Sequence, residues 1–132
     1  MTQVQYPGLR WQVMCALASL ADRDYQERAW LAGQLPPNTY YDMVNEHIHV
    51  LFDDQQVLPD PEDAIGPILL DGDEISLLRA LGREFDAVID RCSGQYEEAY
   101  LRDESWDVVV DLARRALAAM VRRGGLFALS EA

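Results

Sequence analysis

The sequence predicts an all-α fold: a single-domain bundle of five or six helices, with two long C-terminal helices as its packing platform. Three observations carry that prediction. Apolar residues recur at spacings of three and four along most of the chain. Capping and stop residues bracket those stretches, among them Asp60–Pro61, Asp73, Gly33, Gly94 and Gly124–Gly125. The 132 residues are 49% hydrophobic and 26% charged, as in one soluble domain, and at that length about two-thirds of the unfolded surface can be buried. The domain is therefore taken as 1–132, with 1–5 and 126–132 as loose ends.

Pro7 suits a first helical turn, where its missing N–H costs nothing. Val13, Met14, Leu17, Leu20 and Ala21 then form a helical stripe, which Asp22 to Asp24 interrupt. Asp24 and Glu27 have capping-box spacing, so a second helix is expected through Tyr25, Ala29, Trp30 and Leu31 to a stop at Gly33. Residues 34–38 (QLPPN) read as a loop, because paired prolines disfavour helix on both sides. Thr39 is the expected cap for a helix carrying Tyr41, Val44, Ile48, Leu51 and Phe52. The window 47–52 (HIHVLF) also alternates as a strand would, so helix and strand both stand there.

Asp60 and Pro61 open a short helix, with Glu62 and Asp63 where the helix dipole favours anions. Gly66 and Pro67 end or kink it, Ile68, Leu69 and Leu70 are apolar enough for the core, and Asp71-Gly72 marks a turn. Asp73 caps a helix to about Arg91, with Leu78, Leu81, Phe85, Val88 and Ile89 on one side and a stop at Gly94. Residues 95–103 read as a short helix or an ordered loop. The last helix, about 104–123, sets Trp106, Val109, Val110, Ala113, Leu117, Met120 and Val121 on its apolar face. Its acids come early and its arginines late, as the dipole prefers.

Charge is the most informative feature. The formal net charge is −12, every basic residue is Arg, and none lies between Arg28 and Arg79. That gap holds Asp42, Glu46, Asp53, Asp54, Asp60, Glu62, Asp63, Asp71, Asp73 and Glu74, whereas acids and arginines nearly cancel in the flanks. Nucleic acid and anionic membrane surfaces are disfavoured, since both require clustered basic residues. A basic protein partner is the natural complement, with faster association as the main gain. No apolar run reaches the roughly 20 residues of a membrane span, and no basic start precedes an apolar run, so a cytoplasmic location is expected. Cys15 and Cys92 have no CxxC spacing and are expected as reduced thiols.

Candidate chemistry is thin. Glu46-His47-Ile48-His49 puts His47 and His49 on one face of a strand, or Glu46, His49 and Asp53 on one face of a helix. A mononuclear metal site using His49 and Asp53 is the resulting candidate, against the alternative of an exposed polar face. Calcium-loop spacing fails from Asp60 and from Asp71. No serine sits in a nucleophile elbow, and Cys92, at a helix C-terminus, is a poor nucleophile. No phosphate-cradling glycine loop is present. Trp30 and Trp106 fall on apolar faces. Tyr40 lies off the stripe beside the proline loop, and is expected as an exposed contact.

Residues 25–30 (YQERAW), 40–42 (YYD), 49–66 (HVLFDDQQVLPDPEDAIG), 72–74 (GDE) and 100–113 (YLRDESWDVVVDLA) are, taken together, similar to a family of small, acidic, uncharacterised proteins from GC-rich actinobacteria. The resemblance implies a bacterial cytosolic protein with one compact domain, and it implies no activity or cofactor. Small acidic helical proteins also resemble the immunity proteins of toxin systems in size and charge. The leading expectation is a non-catalytic binding module. Tyr40, Asp42, Glu46, Asp53, Asp54, Asp60, Glu62, Asp63, Asp71, Asp73 and Glu74 would dock a basic protein, in an immunity or inhibitor role. The alternatives are a metal-dependent protein using His47, His49 and nearby carboxylates, and a homodimer paired through apolar helix faces.

Overall fold

The computed structural model describes residues 2–39, 42–125 and 129–130. In chain order its helices are α1 (Pro7–Leu20), α2 (Arg23–Gln26), α3 (Val44–Ile48), α4 (Asp73–Cys92), α5 (Glu97–Arg102) and α6 (Trp106–Arg122). Two of them widen without a break into π-helix: α2 over Glu27–Leu31 and α3 over His49–Asp54. A 3₁₀ turn, Pro61–Ala64, precedes α4. The window 47–52 is thus helical and not a strand, which follows from its place between α1 and α4, where only a helical stripe buries Leu51 while leaving His49 in water.

α4 and α6 form the largest helix–helix contact among the described residues, and α1 lies across α6. The platform predicted from the two C-terminal stripes is therefore present. Leu78, Leu81, Phe85 and Val88 of α4 meet Trp106, Val109, Ala113 and Met120 of α6 in one core, joined by Val13, Leu17 and Leu20 of α1. Trp106 sits at its centre, with the rings of Phe85, Tyr100 and Trp30 packed edge-on at 5.9, 6.1 and 6.2 Å. Edge-on packing places the positive rim of one ring against the negative face of the next.

Buried polar groups lock the helices in register. The Gln26 side-chain amide donates to the Ser19 and Leu20 carbonyls, both at 2.9 Å, where α1 has run out of its own N–H partners. Its carbonyl oxygen accepts from the Trp106 indole at 2.9 Å, so one side chain ties three helices. Arg10 is fully buried, and forms a two-pronged pair with fully buried Glu74 at 2.8 Å for both prongs. It also donates to the carbonyls of Ile68 (3.0 Å), Gly125 (2.5 Å) and Met120 (3.3 Å). Glu74 Oε1 accepts the Leu70 N–H as well.

Several local expectations shift. The α2 cap is Asp22, whose carboxylate accepts the Tyr25 N–H at 3.0 Å, and not Asp24. Thr39 does not cap α3. That helix starts later, and its first N–H, from Val44, is taken by the Glu97 carboxylate of α5 at 3.1 Å. The residue before α4 is Gly72 at φ +104, a left-handed turn that suits glycine, with Asp73 as the first helical residue. The N-terminal stretch is tied down at 2–5. β1 (Thr2–Gln3) pairs antiparallel with β2 (Leu129–Ser130), Val4 is buried, and Gln5 N–H donates to the Gly66 carbonyl at 3.0 Å. The remaining end residues, 1, 126–128 and 131–132, lie outside the described residues.

Candidate functional site

The ten acids of the arginine-free stretch do not form one unpaired face, because side chains from elsewhere reach several of them. Glu74 leaves the surface altogether to pair with Arg10 of α1. Glu62 binds Arg79 of α4, and this partner holds its carboxyl below the ordinary value. Asp53 meets His49 Nδ1 at 2.7 Å in water. Asp42 is almost fully buried, at 2.6 Å from His47 Nε2 and 2.5 Å from the Tyr25 hydroxyl. The docking set read from the sequence therefore loses Glu74 and Asp42 to burial, and Glu62 and Asp53 acquire a partner. Tyr40 lies outside the described residues.

Asp54, Asp60, Asp63, Asp71 and Asp73 remain exposed, with no ion-pair partner among the described residues. Asp71 and Asp73 flank the turn before α4, where the Arg123 guanidinium reaches the Asp71 carbonyl at 3.3 Å. Asp54 and Asp63 line one groove of about 280 Å³ with Tyr6 and Leu9. Asp63 also lines an adjoining groove of about 240 Å³ with Asp60, Phe52 and Leu58. Neither lining contains an arginine.

A separate cavity of about 390 Å³ opens in the seam between α1 and α3. Asp42, Glu46 and His47 line it from one side, Trp11 and Cys15 from α1, and Tyr25 from α2. Burial alone would raise the Asp42 pKa, but hydrogen bonds from His47 and Tyr25 outweigh it and hold the carboxyl below its usual value. Burial followed by the Asp42 charge pushes Glu46 up instead. Its Oε1 is buried without a hydrogen-bond partner among the described residues. Burial and the bond to Asp42 raise the Tyr25 phenol, which therefore stays protonated and donates.

His47 is anchored further by stacking on Trp30, with centroids 5.9 Å apart. The Trp30 indole N–H approaches Asp42 as the weakest of its supports, without completing a hydrogen bond. The second π-helical stretch reaches the lining through Val50, and Trp30 of the first stacks on His47, which lines it. Such widened turns occur often at functional sites.

Chemically, the arrangement holds fixed negative charge beside aromatic surface. No thiol or hydroxyl other than Tyr25 is hydrogen-bonded to the Asp42–His47 pair among the described residues. Burial raises the Cys15 thiol, which keeps it protonated. Cys92 is raised too, by burial first and then by Asp103, rather than chiefly by the helix end. His47 and His49 are not brought together: one faces Asp42 in the interior and the other faces Asp53 in water. No group of three His, Cys, Asp or Glu side chains converges on a common point among the described residues.

Sequence reasoning missed Arg10, Trp11, Tyr25 and Gln26. A signal for Arg10 was present, since it lies three and four residues before Val13 and Met14, on the buried stripe. For Tyr25 and Gln26 there was none, because their roles depend on which helices meet.

Fold and site together define an acidic all-α bundle with acid-lined grooves and an aromatic-edged, carboxylate-bearing cavity between α1 and α3. The chain belongs to the family described as Domain of unknown function (DUF7945), whose model matches residues 4–125. Neither a search of curated proteins nor one of solved structures found a match. No helix among the described residues is long and apolar enough to cross a membrane.

Proposed function

We propose that this chain is a non-catalytic binding module of the cytosol, and that the acidic surface around Asp54, Asp60 and Asp63 docks a basic protein partner. The observation that carries the reading is the pair of adjoining grooves sharing Asp63, lined by three carboxylates and no arginine. Tyr6, Leu9, Phe52 and Leu58 supply apolar surface in the same linings, so a cationic side chain can place its charge on the acids and its stem on the aromatic and aliphatic groups. The net charge of −12 draws such a partner from a distance and raises the encounter rate. An immunity or inhibitor role against a basic toxin is one concrete form.

The test is kinetic. A basic partner recovered from native lysate is immobilised, and association is followed across ionic strength for the wild type and for the Asp54→Asn, Asp60→Asn, Asp63→Asn triple variant. The reading expects the wild-type association rate to fall steeply with salt, and the triple variant to bind more slowly and release faster. An affinity indifferent to both salt and the three substitutions overturns it. Light scattering on the purified chain separates this reading from a homodimer.

A further inference from the structure

We propose that the cavity between α1 and α3 binds an organic cation of the ammonium or guanidinium type, with Glu46 as its counter-charge and Trp11 and Tyr25 as its aromatic lining. The cavity, at about 390 Å³, falls in the lower range of ligand sites and is far larger than a bare metal ion needs. No arginine lines it, while two carboxylates do. Of these, Asp42 is already committed to His47 and Tyr25, whereas Glu46 has a buried oxygen with no partner among the described residues.

A buried acceptor left unpaired is costly, and the same carboxyl is disfavoured in its charged form by burial and by Asp42. An ammonium or guanidinium group relieves both, since it donates hydrogen bonds and brings the missing charge. Aromatic side chains reinforce the choice, because the negative face of a ring attracts cations. Trp11 is 54% exposed on the rim, so a ligand entering from water can reach it. A bare divalent ion fits less well, given that no three ligands converge here among the described residues.

The cation can come from two sources: a free small amine, or a Lys or Arg side chain projected by a protein. The site is independent of the acid-lined grooves and uses none of their three aspartates. The two are neighbours, because Gln12 lines the cavity, Gln55 lines the groove, and their side chains are hydrogen-bonded at 2.7 Å.

The experiment is a nuclear magnetic resonance titration of the full chain with n-butylamine, ethylguanidine, tetramethylammonium and Nα-acetyl-lysinamide, alongside the neutral n-butanol and N-ethylurea. Saturable shifts of the Trp11 indole and Tyr25 ring resonances are expected with at least one cation and with neither neutral compound. Saturation by the lysinamide alone assigns the site to a side chain, and saturation by the small cations assigns it to a free ligand. Glu46→Gln should weaken binding at least about tenfold, the scale of one charge-assisted hydrogen bond. The Asp54, Asp60, Asp63 triple variant should bind as the wild type does, which separates this outcome from the fate of the docking surface. Should Glu46→Gln not fold, as judged by its circular dichroism, Trp11→Ala on the exposed rim takes its place, with weakening again expected. Absence of saturable shifts with every cation, equal binding of the neutral compounds, or unaltered affinity in the folded variant overturns the proposal.

Discussion

Replacing Arg10 by Met keeps much of the aliphatic stem and removes the guanidinium. In the wild type that group makes two bonds to Glu74 and three to backbone carbonyls, all from a side chain with no exposure. Its loss leaves a carboxylate sealed in the core with only the Leu70 N–H to satisfy it. Stranding one member of a buried ion pair costs about 3–5 kcal/mol, a large part of the roughly 5–15 kcal/mol by which domains are stable. With a urea dependence near 2 kcal/mol per molar, the midpoint should move down by about 1.5–2.5 M at unchanged slope. Glu74→Leu strands the cation instead, and should cost somewhat less because three carbonyls still hold it. The double variant strands no charge, so its loss should fall short of the sum of the singles by about 1–3 kcal/mol. A single-variant shift below about 1 kcal/mol, or singles that add to within roughly 0.5 kcal/mol, would refute the view that charge pairing, and not stem packing, is what matters here.

Gly82 lies inside α4, where alanine normally stabilises a helix by up to about 1 kcal/mol. A Cβ there would meet the Pro59 backbone at 2.9 Å, so Gly82→Ala should instead destabilise by about 1–3 kcal/mol in urea unfolding; a gain would show that the 58–60 loop yields. The Asp103 pKa is lowered to about 2, chiefly by its hydrogen bond from Arg91. A depressed carboxyl contributes stability that is present above its unfolded value near 4 and is lost as the pH falls through about 2. Arg91→Ala should therefore be less stable than wild type at neutral pH, and the gap should close across that acid window; a gap independent of pH contradicts the assignment. Cys15 is exposed and Cys92 buried, so a disulfide-exchange reagent should label Cys15 first in the native protein and Cys92 only on unfolding. Mass mapping of the fast label to Cys92 would contradict the burial.

What the sequence made legible was local. Helical spacing at Leu78–Leu81–Phe85 and Val109–Ala113–Met120, the Asp60–Pro61 start and the glycine stops all describe interactions within a few residues, and each reappears in the fold. What stayed hidden was pairing across the chain: Arg10 with Glu74, Gln26 with Trp106, Glu97 with the Val44 N–H. Thr39 shows why. It is a good cap by type and position, yet α3 begins only at Val44, whose N–H is taken by a carboxylate from α5. Nothing near Thr39 records that contact. The π-helical widening of α2 and α3 is equally silent, since periodicity cannot separate it from an α-helix over so few turns.

Charge behaves in the same way, with a consequence for recognition. A count along the chain assigns the imbalance to the arginine-free middle and leaves the flanks neutral. Folding cannot change the total of −12, only its placement. When Arg10 and Arg79 turn toward Glu74 and Glu62, the flanks lose two cations, and acids such as Asp86 and Asp90 of α4 stand without ion-pair partners among the described residues. The long-range field is thus spread more evenly than the sequence suggests. Such a field can hasten the approach of any basic molecule but cannot tell it where to land. Landing must be set by close contact, where a carboxylate sits beside apolar surface in a concave lining, and that combination occurs at Asp54, Asp60 and Asp63 and again at Glu46. On the proposed docking, removing Asp86 or Asp90 should slow the encounter with a basic partner without altering release, whereas removing Asp54, Asp60, Asp63 or Glu46 should quicken release.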